Sequence, residues 1–249
     1  MAATQAVKLI LVGNGSAGKT SICTRFREDG FQRVYRQTVG IDFLEKTLKV
    51  RDKLVALQVW DIGGQSIGSK MLPQYVWGAD LVFLCYDVTD MQSFADAEDW
   101  LRLVRRRAPE ARRLGGVVLR EPEGAEDASV GVGAPVYLLG NKVDLGTAYR
   151  RVTETMHQAF IESNGLQGGF LVSARSGEGV LTAFYSAAAA FLGVSLTALE
   201  LELTEKVLAV TVAAPGGSDD ARLPGADKIE AEDRAAAERA AKGDCCSIA

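Results

Sequence analysis

At 249 residues, 47% hydrophobic and 24% charged, the chain has the make-up of a soluble globular protein with one α/β domain and appendages, or two very small domains. A net charge of −4 forces no strongly basic face, so nucleic acid is not expected as a partner. The four cysteines show neither zinc spacing nor a disulfide framework, which points to a reducing compartment. Cys23 and Cys85 read as buried thiols, while Cys245 and Cys246 stand near the C-terminus. Residues 1–4 lack the basic-then-apolar pattern of a secretory leader. No run approaches the ~18 apolar residues of a membrane span, so membrane contact is expected only through a lipid.

In chain order, residues 7–12 form an apolar run ending at Gly13, the pattern of a strand buried on both faces. Residues 54–60, 80–86 and 135–139 read alike. Between them, Phe94, Ala97, Leu101 and Val104 share one helical face, as do Val180, Ala183, Phe184, Ala187 and Phe191. This alternation predicts a doubly wound, mostly parallel sheet with helices on both faces. Residues 105–133 show no periodicity and read as a surface insertion. From about residue 215 the Gly, Asp, Ala and Glu composition predicts a disordered tail, with a transient helix over residues 229–241. The expected organisation is an extension at 1–6, a domain at 7–194 with its insertion at about 108–133, and a tail at 195–249.

Gly13, Asn14, Gly15, Ser16, Ala17, Gly18, Lys19 and Thr20 spell G-x-x-x-x-G-K-[ST] between a strand and a helical pattern. The glycines let backbone N–H groups turn inward around phosphates, and the following helix adds its positive end. Lys19 would reach the β- and γ-phosphates, the Thr20 hydroxyl would ligate Mg²⁺, and Ser21 follows in the same nucleotide-binding stretch. Asn141-Lys142-Val143-Asp144, after the strand over 135–139, selects the base. The Asp144 carboxylate can accept from both the N1–H and the 2-amino group of guanine, a donor pair adenine lacks, with Asn141 and the Lys142 stem closing the pocket. After the strand over 54–60, Asp61 would hold Mg²⁺ through water, the Gly64 N–H would contact the γ-phosphate, and Gln65 would orient the attacking water.

With these motifs the chain resembles the Ras superfamily, and within it the Rab family, over residues 7 to about 194 apart from the insertion. The resemblance implies a GTPase cycling between GTP and GDP. It further implies that Thr38 is the switch I threonine on Mg²⁺ and γ-phosphate, that Phe31 packs on guanine, and that Tyr35 covers the phosphates. Ser173-Ala174-Arg175 resembles the guanine loop, with the Ala174 N–H on the base oxygen and Arg175 in place of the usual lysine. Gln65 and the unobstructed Gly15 complete the hydrolysis apparatus, so Gln65, Lys19 and Thr38 are the expected catalytic residues. Switch II reads W-D-I-G-G-Q-S-I-G where ordinary Rabs read W-D-T-A-G-Q-E-R-F, which is similar to the divergent Rab subfamily numbered twenty-eight. That subfamily implies farnesylation and an association with endosomes, basal bodies and cilia.

Cys246-Ser247-Ile248-Ala249 fits C-a-a-X in part, and a terminal alanine favours farnesyl. Cys245 is a second candidate, for palmitate or geranylgeranyl. Residues 218–244 carry eight acidic against five basic side chains and offer no polybasic second anchor. The resulting expectation is a monomer on the cytoplasmic side of intracellular membranes, cycling with the cytosol. Its partners would be guanine nucleotide, an exchange factor, a GTPase-activating protein and effectors. The competing readings are a GTP-bound scaffold with little hydrolysis, and a P-loop kinase or ATPase, against which residues 141–144 argue. His157 reads as a helix-surface or packing residue, and Trp77 and Trp100 read as packing residues. Arg105 and its neighbours read as a solvated helix end, and Trp60 stays open between core and effector-facing surface.

Overall fold

The computed structural model describes residues 4–28, 38–64, 72–107, 113–114, 117–118, 133–197 and 199–201. Its six-stranded sheet runs in the order β2-β3-β1-β4-β7-β8. The central strands are β1 (Gln5–Val12), β3 (Lys53–Ile62), β4 (Leu81–Asp87) and β7 (Val136–Asn141), all parallel, with β8 (Gly168–Leu171) parallel at one edge. β2 (Ile41–Val50) lies antiparallel to β3 at the other edge.

Every residue of β4 and β7 is buried, as their continuous apolar runs require of strands covered on both faces. One face is covered by α1 (Lys19–Glu28) and α6 (Val180–Phe191), whose Ile22, Phe26, Ala183 and Phe184 meet Leu9, Leu11 and Phe83. Phe26 stacks on Phe184 with ring centroids 3.8 Å apart. The other face takes α2 (Leu72–Val76), α3 (Met91–Ala95), α4 (Ala97–Arg107) and α5 (Glu154–Ser163). There Val76, Trp100, Leu101 and Ile161 pack on Ile10, Val82, Leu84 and Tyr86. Burying a large apolar side chain of this kind contributes about 1.5–3 kcal/mol, so the two layers fix how the strand ends are presented.

Three departures from the sequence reading have physical causes. The helical face from Phe94 to Val104 is split into two helices at Asp96, which caps α3 with its backbone N–H while its carbonyl starts α4. β2 is an edge strand with only Leu44, Leu48 and Val50 buried, so it has no apolar run to announce it. α4 continues through Arg107, and a two-stranded pair, β5 (Arg113–Leu114) with β6 (Val117–Val118), lies inside the stretch read as patternless.

Trp77, read as a packing residue, is instead 62% exposed. Trp100 is buried, and His157 is buried with its Nδ1 2.9 Å from the Tyr86 hydroxyl. Burial pushes His157 down to about 4 and raises the Tyr86 hydroxyl above its usual value. Among the described residues no helix is long and apolar enough to cross a membrane.

Candidate nucleotide site

The loops that follow β1, β3, β7 and β8 gather at the carboxyl ends of the parallel strands, where open α/β sheets bind ligands. The first loop turns on Gly13 and Gly18, both at positive φ, and on Ser16 at φ 66°. A non-glycine residue in that region is strained, and such strain concentrates at functional sites. Lys142 at φ 73°, in the loop after β7, is a second instance.

Lys19 opens α1 and is buried, with its Nζ donating to the carbonyls of Gly13 at 2.7 Å and Asn14 at 2.8 Å. Burial holds its ammonium below the usual lysine range. The cation thus sits under the loop at the helix N-terminus, where an anion gains from both. Thr20, one residue on, meets two other elements. Its Oγ1 lies 2.7 Å from the Thr38 Oγ1 and donates to Asp61 Oδ2, which Thr38 Oγ1 also approaches at 3.4 Å.

Asp61 is 2% exposed, and its Oδ1 has no hydrogen-bond partner among the described residues. Burial raises its carboxyl above the usual range, with the Thr20 hydroxyl opposing. An orphaned buried carboxylate oxygen beside two hydroxyls is a hard-oxygen set of the kind that Mg²⁺ takes alongside phosphates and water. These donors fit the ion. Gly64 presses on the first loop so closely that a Cβ there would stand 2.0 Å from the Gly15 nitrogen, so the backbone reaches the phosphate loop only as glycine.

The base side is a hydrogen-bonded lattice. Asn141, buried at the end of β7, donates to the Ala17 carbonyl at 2.9 Å and accepts from the Ala174 N–H at 3.0 Å. One amide therefore ties the phosphate loop to the loop after β8. Asp144 accepts from the Ser173 hydroxyl at 2.7 Å and lies 3.7 Å from Arg175. Ser173 is fully buried and also accepts from the Ser176 N–H. Lys142 pairs with Asp87 at 2.6 Å. Arg25 of α1 donates through Nε to the Ala174 carbonyl at 2.9 Å and holds that loop from behind.

Hydrogen bonds join several of the residues that the sequence reading singled out. Gly13, Asn14, Gly15, Lys19, Thr20, Thr38, Asp61 and Gly64 lie around the loop after β1, and Ala17, Asn141, Asp144, Ser173, Ala174 and Arg175 are linked at the ends of β7 and β8. Phe31, Tyr35, Gln65, Cys245 and Cys246 lie outside the described residues. The sequence reading missed Asp87 and Arg25. Asp87 ends an apolar strand, and that position was its available signal; Arg25 falls in no motif.

The Ras family model matches residues 8–118. Ras-related protein Rab-28 of Caenorhabditis elegans is 38% identical over 197 residues, 79% of this chain and 71% of that protein. Ras-related protein Rab-13 of Canis lupus familiaris is 35% identical over 181 residues, 73% of this chain and 77% of that protein. Ras-related protein Rab-13 of Mesocricetus auratus is 34% identical over the same length and shares. The phosphate loop, the guanine-side lattice and these likenesses converge: the chain belongs to the Rab family of Ras-type small GTPases, enzymes that bind and hydrolyse GTP.

Proposed function

We propose that this GTPase is a Mg²⁺-dependent switch in membrane traffic, with residues 7–194 as its working domain, 108–133 as an insertion and 195–249 as a lipid-bearing tail. The observation that carries this reading is the meeting of Thr20, Thr38 and Asp61, three residues far apart in sequence, at one point beside Lys19. Bound there, Mg²⁺ would neutralise charge on the transferring phosphoryl group and on its leaving oxygen.

The chain's own residues do the rest. Residues 13–18 and Lys19 hold the phosphates. Thr20 and Thr38 supply oxygens for the ion, and Asp61 holds it through water. Asp144 selects guanine, assisted by the Ala174 N–H, while Asn141 fixes the distance between base and phosphates. Phe31 packs on the base and Tyr35 closes over the phosphates. The Gly64 N–H reports the γ-phosphate, and Gln65 orients the attacking water. When the γ-phosphate leaves, Thr38 and Gly64 lose the group that holds them, and the two switches relax. Intrinsic turnover is slow, and a partner's arginine accelerates it about 10³- to 10⁵-fold.

Cys246, with or without Cys245, carries the lipid. The monomer then cycles between cytosol and the cytoplasmic face of intracellular membranes, endosomal or ciliary by its likeness to Rab-28, under exchange factors, activators and effectors. Mass spectrometry of the native C-terminal peptide reads the lipid, and two unmodified cysteines refute the attachment. Single-turnover GTP hydrolysis of the purified chain tests the rest. The expected result is slow, EDTA-sensitive turnover that Gln65→Leu abolishes. Equal rates for wild type and variant would assign Gln65 no role and favour a GTP-bound scaffold.

A further inference from the structure

The Asn14 side chain reaches from the first loop to Asp96 and Trp100. Its Nδ2 donates to Asp96 Oδ2 at 2.6 Å, and its Oδ1 accepts from the buried Trp100 Nε1 at 2.9 Å. Trp100 can only donate and ionised Asp96 can only accept, so the amide has a single orientation that satisfies both. Asp96 is itself fixed, because its other carboxylate oxygen accepts from Gln92 Nε2 at 2.7 Å and its N–H donates to the Gln92 carbonyl at 2.9 Å. Trp100 is locked by packing in the core layer under α4. The main-chain carbonyl of this same Asn14 accepts from Lys19 Nζ at 2.8 Å. A single loop residue is therefore gripped by a helix on one side and by the phosphate-binding lysine on the other.

We propose that Asp96 and Trp100 are positioning residues for nucleotide binding. Acting through Asn14, they hold the phosphate loop in its wrapped form before the nucleotide arrives. A preformed loop leaves less ordering to be done on binding, and that saving appears as slower nucleotide release. The Trp100 N–H alone needs an acceptor because it is buried, but that need does not account for the Asp96 arm, which reaches the loop from a partly exposed capping position. The inference rests on residues 13–20 holding the phosphates.

The test is release of fluorescently labelled GDP from the full-length protein. Asp96→Ala removes an ionised partner and should speed release roughly tenfold. Asn14→Asp sets two carboxylates against each other and should do at least as much. The double variant Asn14→Asp/Asp96→Asn restores every bond between positions 14, 96 and 100 with the polarity of the first reversed. The carboxylate placed at position 14 then accepts both from Trp100 and from the amide placed at position 96. This variant should release GDP within about threefold of wild type, an offset small beside the roughly tenfold losses of the single variants.

Wild-type release rates in both single variants overturn the proposal, even if their melting temperatures fall, because the trio then serves packing only. So does a double variant that releases GDP as fast as the single variants. Lys19→Ala separates the two levels of inference. Loss of nucleotide binding in that variant supports the phosphate-loop reading on its own. Retention of nucleotide overturns that reading and the proposal with it.

Discussion

The two halves of the nucleotide site are held by different physics. On the base side, Asn141, Asp144, Ser173 and Lys142 already have partners within the protein, at 2.6–3.0 Å, and all of them hang from the fully buried β7 or the loop after β8. On the switch side, three oxygens crowd together around Asp61 with one carboxylate oxygen unmatched among the described residues, and Gly63 and Gly64 make close backbone approaches to Thr38 and Gly15. A pocket whose polar groups are satisfied in advance recognises a ligand without rearranging. A cluster with an orphaned buried charge gains most when a ligand completes it, and is the part able to report which ligand is present. On the proposed reading, recognition and switching fall to different edges of one sheet.

The sharpest way to break this division is Asp144→Ala. If Asp144 selects guanine as proposed, the variant removes two charge-assisted bonds to the base, and Ser173 loses its acceptor. Such bonds contribute about 1.5–3 kcal/mol each, so GTP and GDP affinity should fall together by roughly 10²- to 10⁴-fold. Titration calorimetry with both nucleotides checks this. A loss confined to GTP would show that base recognition and switching are not separate.

Gly18→Ala attacks the joint between the halves. A Cβ at this residue would stand 2.2 Å from Asn141 Nδ2, on backbone at φ +89° that alanine resists. Asn141 must then leave Ala17, and the strain should cost about 2–3 kcal/mol. Chemical denaturation with GDP bound measures it. Unchanged stability would mean that the Asn141 bridge is dispensable.

The base half also carries a buried histidine, which gives it a pH signature. His157 of α5 touches Tyr86 of β4 and lies against Gly169 of β8. Its folded-state value is about 4 against 6.5 when solvated. Between those values the unfolded chain takes up a proton that the folded chain refuses. Stability is therefore full above about pH 6.5 and declines as pH falls toward 4, by on the order of 2 kcal/mol once partial solvation is discounted. Melting at pH 7.5 and pH 5 should show the drop in wild type and a smaller one in His157→Phe. Hydrogen exchange should locate the loosening in β7 and β8 before β2 and β3. Uniform loosening would deny the base half its separate character.

What was legible in the sequence follows the same line. The phosphate and base motifs are contiguous, each placed by an apolar strand, so Lys19, Thr20, Asn141 and Asp144 could be located by pattern, while the phosphate-side roles came with the resemblance to Ras. The contacts joining the motifs could not. Asn141 to Ala17 spans 124 positions, and Asn14 to Asp96 spans 82. No local pattern encodes a bond that exists only because β1, β4 and β7 lie side by side. Edge strand β2 and the exposure of Trp77 escaped for a related reason, since each is decided by which neighbours the sheet supplies.

The smallest predicted effect falls on the switch half. Gly63 donates its N–H to the Gly40 carbonyl at 2.9 Å, and a Cβ on it would stand 2.5 Å from the Thr38 carbonyl. Alanine occupies this position in the ordinary Rab pattern, so Gly63→Ala should fold. The methyl group must nonetheless push the Thr38 backbone outward, away from the point where its hydroxyl meets Thr20 and Asp61. That displacement matters only in the state where Thr38 is engaged. GTP affinity should therefore fall about tenfold relative to GDP, equivalent to ~1.4 kcal/mol, while GDP affinity stays at its wild-type value. Competition of labelled GDP with a non-hydrolysable GTP analogue reads the ratio directly. If both nucleotides weaken alike, Gly63 shapes the whole pocket. If neither moves, Thr38 has room that the close approach to Gly63 denies it, and switching does not depend on this glycine.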